Sequence, residues 1–212
     1  MKKYAWIIKN ILLLKSVIMI ELIRNELKMK KLLFLAATAL LLSACSGNVN
    51  DKTTKKNTEN SISFTNDMEN ASAKIPLWLN EFTVGEGVAH SGKFSCMMDE
   101  TREYSYSFVA YFNNISDKLP KKILLNAWLY STVENPDISF VVGIDSGAKQ
   151  IYWKSAVVKK NVPMANVWTE VNYSFDINPN KPIGKNDKVT IFLWNLNKLK
   201  VYYDDATITF EY

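Results

Sequence analysis

The chain has 212 residues, a formal net charge of +5 and 48% hydrophobic residues. The positive charge is concentrated in residues 1–44, which hold 8 Lys/Arg and 2 Asp/Glu, so residues 45–212 hold 18 basic and 19 acidic residues, a net charge of −1. This balance gives no support for nucleic-acid binding, which needs clustered basic residues, and the 168 residues after position 44 fit one domain.

Residues 29–44 have the pattern of a signal peptide. Met29 is followed by two lysines, an apolar run at residues 32–42 and then Ser43-Ala44-Cys45. This order is typical of secretory signals, and the apolar run of 11 residues is too short to span a bilayer. The end of the segment resembles the bacterial lipobox, in which the cysteine is lipidated and becomes the first mature residue. We therefore expect export, cleavage before Cys45 and a lipid anchor in the membrane; an ordinary signal peptide is the alternative.

Residues 1–28 do not fit this plan, because a start at Met1 would give a prepeptide of 44 residues, longer than the usual range of about 15–30. We interpret residues 1–28 as a mis-annotated extension and place the start at Met29. The alternative is a membrane helix over residues 4–23, although charged residues interrupt this stretch.

Ser46 after the lipidated cysteine permits transport to the outer membrane or the cell surface, where we expect the protein.

Residues 45–74 are rich in Asn, Lys, Thr, Ser and Glu and contain few aliphatic residues. Such a segment buries too little apolar surface to offset the entropy of ordering its backbone. We therefore predict a lipidated flexible tether over 45–74, followed by a folded domain over 75–212.

The segment from residue 75 onward has short runs of β-branched and aromatic residues with a period of two. No window of 12 or more residues has a helical apolar period, and the prolines fall between the runs. This pattern predicts an all-β domain, a sandwich or a barrel. The main runs are residues 104–112, 123–130, 138–144, 150–158, 167–175, 188–195 and 201–211.

The sequence lacks the common catalytic patterns: it has no nucleophile elbow, metal-binding histidine pair or phosphate loop. Its single histidine, His90, lies in a turn-like segment, and we predict that it hydrogen-bonds a loop. Nothing pairs the acidic residues across a cleft, as a glycosidase requires. We therefore predict that the protein is not an enzyme.

Four residues are candidates for binding carbohydrate. Asn126, Trp128 and Tyr130 alternate with the aliphatic residues of their strand, so we expect them on an outer sheet face, and Trp194 fits the same description. Aromatic rings stack on the C–H faces of sugars, while amides and carboxylates bind the hydroxyls. The alternative is that these rings belong to the core, as in most small sandwiches.

Other side chains have simpler expected positions. Tyr152 and Trp153 are neighbours in a strand, so only one of them can face outward. Trp168 is predicted to lie in the core. Cys96 is predicted to be a small buried residue and not a reactive thiol.

Asp204 and Asp205 stand side by side in an otherwise apolar strand. One of them must point inward or to the rim of the sheet, and a buried carboxylate needs a cation or several hydrogen-bond donors. Calcium binds carboxylate and carbonyl oxygens. The alternative is a strand near a sheet edge with both carboxylates in solvent.

Four segments together resemble the galactose-binding-like jelly roll, and most closely carbohydrate-binding modules of families 4, 9 and 22. They are Glu81-Phe82, residues 89–95, Trp168 at the start of its strand, and residues 201–205. The resemblance covers about residues 76–212 and implies a two-sheet antiparallel β-sandwich. It also implies a structural calcium held by Glu81, the carbonyl of Lys93, and Asp204 or Asp205.

Two functions are compatible with these features. The first is a non-catalytic, lipid-anchored protein of the envelope or cell surface that binds a glycan; it predicts an exposed cluster of aromatic residues beside amides or carboxylates. The second is a structural or protein-interaction lipoprotein of an envelope complex without a glycan ligand; it predicts that Trp128, Tyr130 and Trp194 are buried.

Overall fold

The computed structural model describes residues 54–71, 77–179 and 182–212, which belong to one compact unit, Asp51–Tyr212. The predictions for residues 1–44 and for lipidation of Cys45 lie outside the described residues. No helix in the described ranges is long and apolar enough to cross a membrane.

The strands are β1 (Thr54–Thr58), β2 (Ser61–Asn66), β3 (Trp78–Leu79), β4 (Val84–Glu86), β5 (Phe94–Met98), β6 (Ser107–Tyr111), β7 (Lys122–Ser131), β8 (Ser139–Ser146), β9 (Lys149–Val157), β10 (Thr169–Asp176), β11 (Lys188–Trp194) and β12 (Val201–Glu211). A one-turn helix α1 (Phe112–Ile115) and two 3-10 turns (Glu81–Thr83 and Lys159–Asn161) connect some of them.

The described strands form two antiparallel sheets, one of seven strands and one of five. In the seven-stranded sheet, β12 pairs with β7 on one side and with β5 and β2 on the other, while β10, β4 and β1 lie outside β7, β5 and β2. The five-stranded sheet has the order β3-β6-β11-β8-β9. The predicted all-β jelly-roll sandwich is therefore confirmed.

The core lies between the two sheets. Residues of β7 alternate regularly between buried and half-buried positions, and Ile123, Leu125 and Leu129 face inward. Aromatic rings bridge the sheets: the centroids of Phe64 on β2 and Phe108 on β6 are 5.2 Å apart. Burial of these apolar side chains, at roughly 25 cal/mol per Å² of surface removed from water, is the main source of stability.

The predicted flexible tether is wrong for its second half, because β1 and β2 lie within residues 54–66. β2 pairs with β12 along its whole length, and the ring of Phe64 is only 3% exposed. Further along, the side chain of Met68 is fully buried. The average composition of the segment is polar, but a few apolar residues are enough when they alternate and pair with a core strand. The folded domain thus begins about 20 residues earlier than the predicted residue 75.

The other predicted positions were mostly correct. Tyr152 is buried and Trp153 is exposed. Cys96 is fully buried, and this burial raises the pKa of its thiol to about 11, so that it is an unreactive core residue. Trp168, in contrast, is half-buried on an outer face and does not belong to the core.

Candidate functional site

The outer face of the seven-stranded sheet carries three of the predicted site residues. Along β7, Tyr130 lies opposite Tyr202 of β12, Trp128 opposite Asp204, and Asn126 opposite Thr207. On the other side of β7, Glu170 and Asn172 of β10 lie opposite Trp128 and Asn126. The Asn126 amide donates to Glu170 Oε1 at 2.7 Å and to Asn172 Oδ1 at 2.8 Å. Trp128, Tyr130 and Asn126 therefore lie together on this face, as predicted.

The rings on this face cover each other. The ring of His90 stacks on Trp128 with centroids 3.7 Å apart and an angle of 13° between the planes. Trp168 lies 5.6 Å from both His90 and Tyr130, and Tyr130 in turn contacts Tyr202. Trp168 was predicted in the core because its strand begins beside it; in fact it precedes β10 and folds onto the outer face. One face of the Trp128 indole is therefore occupied by another side chain.

The two aspartates of β12 hold the loop that carries His90. Asp204 is fully buried, and its Oδ2 accepts from the backbone N–H groups of His90 at 2.8 Å and Ser91 at 3.3 Å. Its Oδ1 accepts from the backbone N–H of Asp205. Asp205 adopts a positive φ of 47° where the pairing of β12 with β7 shifts register, and its carboxylate binds His90 Nδ1 at 2.6 Å and the Ser91 hydroxyl at 2.8 Å. Despite the donors, burial raises the pKa of Asp204 to about 6.

The predicted calcium ligands have other partners or lie apart in the described residues, and calcium binding stays a prediction. Both oxygens of Asp204 accept backbone N–H groups, and both oxygens of Asp205 bind the His90 loop. The carbonyl of Lys93 accepts from the backbone N–H of Gly87, and Glu81 is an exposed residue of a 3-10 turn with no hydrogen bond to any of them. No group of three or more His, Cys, Asp or Glu side chains in the described ranges could hold a metal. A buried carboxylate needs either a cation or several hydrogen-bond donors. For Asp204, backbone N–H groups are the donors.

A carboxylate that the sequence analysis missed also ties this loop down. Glu69, which follows β2, accepts from the backbone N–H groups of Lys93 and Phe94 through Oε1, both at 2.8 Å. A side chain at Gly92, whose φ is +59°, would run into the Glu69 carboxylate. Residues 87–93 are therefore held from two sides, and their role is to close the outer face of the seven-stranded sheet.

A second group of aromatic residues lies on the outer face of the five-stranded sheet. Trp194 of β11 is T-shaped to Trp153 of β9 at 6.2 Å, and Phe192 contacts both Trp153 at 5.9 Å and Tyr104 at 5.6 Å. Tyr104 also forms an isolated bridge with Trp194. We call Tyr104, Trp153, Phe192 and Trp194 the five-strand aromatic cluster. Its two outer members are exposed, Trp153 at 46% and Tyr104 at 47%.

Two neighbours determine the positions of these rings. Gly143 of β8 lies opposite Trp153, and a Cβ placed there would be 3.5 Å from Trp153 Cε3, so the indole lies directly over the glycine. Glu103 accepts the indole N–H of Trp194 at 2.8 Å through Oε1. The result is a cluster of rings with exposed surface and a half-buried carboxylate beside it.

The structure does not bring Trp194 together with Asn126, Trp128 and Tyr130, because it lies on the opposite sheet. Alternation along a strand shows which residues share a face, but it does not show which sheet the strand joins. Tyr104, Phe192 and Glu103 were not among the predicted site residues. Tyr104 in particular shares its parity with the buried Tyr106, and its exposure follows only from its position before the start of β6.

No family model and no curated protein sequence matches the chain. Among solved structures, it is similar to a family 22 xylan-binding domain from Paenibacillus barcinonensis, with 12% identity, a TM-score of 0.44, and coverage of 69% of this chain and 98% of that one. It is also similar to the family 22 and GH10 modules of a Clostridium thermocellum endo-1,4-β-D-xylanase in complex with xylohexaose, with 16% identity, a TM-score of 0.37, and coverage of 61% of this chain but only 24% of that longer one.

A third similar structure is a cyclase from Fischerella, with 10% identity, a TM-score of 0.37, and coverage of 76% of this chain and 82% of that one. Carbohydrate-binding modules are thus among the solved structures to which the chain is similar, as the sequence predicted.

Proposed function

We propose that this protein is a non-catalytic glycan-binding module and that it binds through the five-strand aromatic cluster. The observation that carries this proposal is the Trp153 indole, which lies over Gly143 and leaves nearly half of its surface in solvent. An exposed tryptophan on a rigid sheet is costly for a protein that does not use it, because its large apolar surface stays in water. A sugar ring stacked on it would remove that surface from water.

The polar groups beside the rings suit the hydroxyl groups of a sugar. One carboxylate oxygen of Glu103 accepts a hydrogen bond from the Trp194 indole N–H. Gln150 belongs to the edge strand β9, as Trp153 does. Binding sites for small molecules commonly combine apolar walls with a few polar groups that determine orientation. The five-strand aromatic cluster has this composition.

The outer face of the seven-stranded sheet is less suited to this role. His90 stacks on Trp128, and Trp168 packs against both His90 and Tyr130, so these rings already stabilise a loop. Glycan binding by Asn126, Trp128 and Tyr130 stays a prediction, and the same experiment tests it.

The experiment is a glycan array and calorimetric titration with the full-length chain purified in mild detergent. We expect Trp153→Ala to weaken binding by at least about tenfold without changing the melting temperature, whereas Trp128→Ala leaves the affinity unchanged per folded molecule. The reverse pattern would assign the site to the seven-stranded sheet. A folded protein that binds no glycan would contradict the proposal and favour the structural, protein-interacting alternative.

We further propose that the module is anchored in the bacterial envelope by lipid on Cys45, on the basis of the lipobox-like sequence. Because β1 begins at Thr54, only eight residues (46–53) separate Cys45 from the first strand. Such a segment spans at most about 28 Å when fully extended, so the domain would lie close to the membrane. Incorporation of a palmitate analogue that Cys45→Ala abolishes would support the anchor, and labelling that persists in this variant would contradict it.

A further inference from the structure

Glu103 is held firmly beside the rings of the five-strand aromatic cluster. Its Oε1 accepts from Trp194 Nε1 at 2.8 Å, and its backbone carbonyl accepts from the N–H of Asn195 at 2.8 Å. The adjacent Tyr104 forms a bridge with Trp194. The carboxylate is thus fixed at both its backbone and its side chain, and its position relative to the Trp194 indole is defined.

The second oxygen of this carboxylate is available to a ligand. Among the described residues, Oε1 is the only side-chain atom of Glu103 with a hydrogen bond, and Glu103 forms no ion pair there. The neighbouring Arg102 pairs instead with Asp99 at 3.8 Å. A carboxylate oxygen accepts hydrogen bonds only, so it suits a donor such as a sugar hydroxyl.

Two lysines of this sheet do not offset the charge of Glu103. Lys188 of β11 pairs with Asp145 of β8 at 3.2 Å. Lys154, which follows Trp153 in β9, lies opposite the buried Val142 and so has the reverse orientation to Trp153. Glu103 therefore gives the aromatic cluster a negative charge without an ion-pair partner among the described residues.

From this geometry we infer that Glu103 is a specificity-determining residue that restricts the site to uncharged glycans. Its free oxygen accepts a hydroxyl hydrogen bond from a neutral sugar and repels the carboxylate of a uronic acid or the sulfate of a sulfated sugar. This inference rests on the proposed glycan-binding function and adds the class of ligand.

The test uses three pairs of oligosaccharides, each with one backbone in a neutral and an acidic form: glucan and glucuronan, galactan and galacturonan, mannan and mannuronan. We expect the full-length chain to bind the neutral member of at least one pair about five- to tenfold more tightly than its acidic partner at low salt. Glu103→Gln keeps an oxygen for the Trp194 indole but removes the charge. It should abolish most of this preference, and the readout is the ratio of the neutral to the acidic affinity in each pair.

Glu170→Gln is the matched control, since it removes the same charge from the opposite sheet. It should leave the preference intact. Tighter binding of the acidic member, or an unchanged preference in Glu103→Gln, overturns the role of Glu103 while glycan binding itself stands. No binding to any of the six oligosaccharides or to any glycan of the array by the folded protein contradicts the proposed function, and the inference with it.

Discussion

Gly143 allows the position of the Trp153 ring to be changed without touching the ring itself. A Cβ at this position would lie 3.5 Å from Trp153 Cε3 and 3.8 Å from Cζ3, which is ordinary contact. Gly143→Ala should therefore keep the ring in place and stabilise the strand by about 0.4–1 kcal/mol, because alanine has less conformational freedom in the unfolded chain. Gly143→Val adds two methyl carbons about 1.5 Å beyond the Cβ, and at least one must enter the space of the indole.

The exposed indole can swing into solvent, so the valine variant should stay folded and lose the stacking surface. We expect its glycan affinity to fall by on the order of 2 kcal/mol, about thirtyfold, with the alanine variant close to wild type. Calorimetric titration measures the affinity, and urea unfolding measures the stability of the same samples. Equal affinities for the alanine and valine variants, both folded, would refute the role of the Trp153 platform.

Three further predictions concern stability. Phe64→Ala should destabilise the domain by about 3–5 kcal/mol in urea unfolding. An unchanged free energy of unfolding would contradict the packing of β2 and favour the predicted flexible tether. Burial raises the pKa of Asp204 to about 6, so the folded state binds this proton more tightly than the unfolded state. The stability of wild type relative to Asp204→Asn should therefore fall as the pH rises from about 4 to about 6. A rise in relative stability over this pH range would contradict the raised pKa. Because the oxygens of Asp204 and Asp205 already have partners, millimolar calcium should not raise the melting temperature; an increase that Asp205→Asn removes would show that the predicted calcium site forms.

Regular strands were predictable because alternation is a local property. In β7, one parity faces the core over all ten residues, so the alternation of the sequence agrees with the outward positions of Trp128 and Tyr130, although the alternative of a place in the core was open. Tyr152 and Trp153 are a similar case, since two neighbours in a strand must face opposite ways. The fold class could be recognised because these local patterns recur throughout the domain.

Properties that depend on pairing between distant strands could not be predicted in this way. Trp194 has the expected parity, yet β11 belongs to the five-stranded sheet and β7 to the other. The segment of β2 looks polar in isolation and becomes a strand because β12 provides a partner. The bulge at Asp205 changes which side chains meet the His90 loop, and a bulge of one residue leaves no clear signal in composition.

Tryptophan has different surroundings on the two sheets, and this difference favours the five-stranded sheet as the candidate binding face. Trp128 has His90 stacked on it, and His90 is held in turn by Asp205, so removing the indole would loosen a loop that several hydrogen bonds maintain. Trp153 lies over Gly143 and contacts Phe192 and Trp194 at its edges. A ring that supports a loop contributes to folding whether or not a ligand is present. A ring that packs on a glycine and faces solvent gains most when a ligand covers it, and for this reason we propose that a glycan binds on the five-stranded sheet.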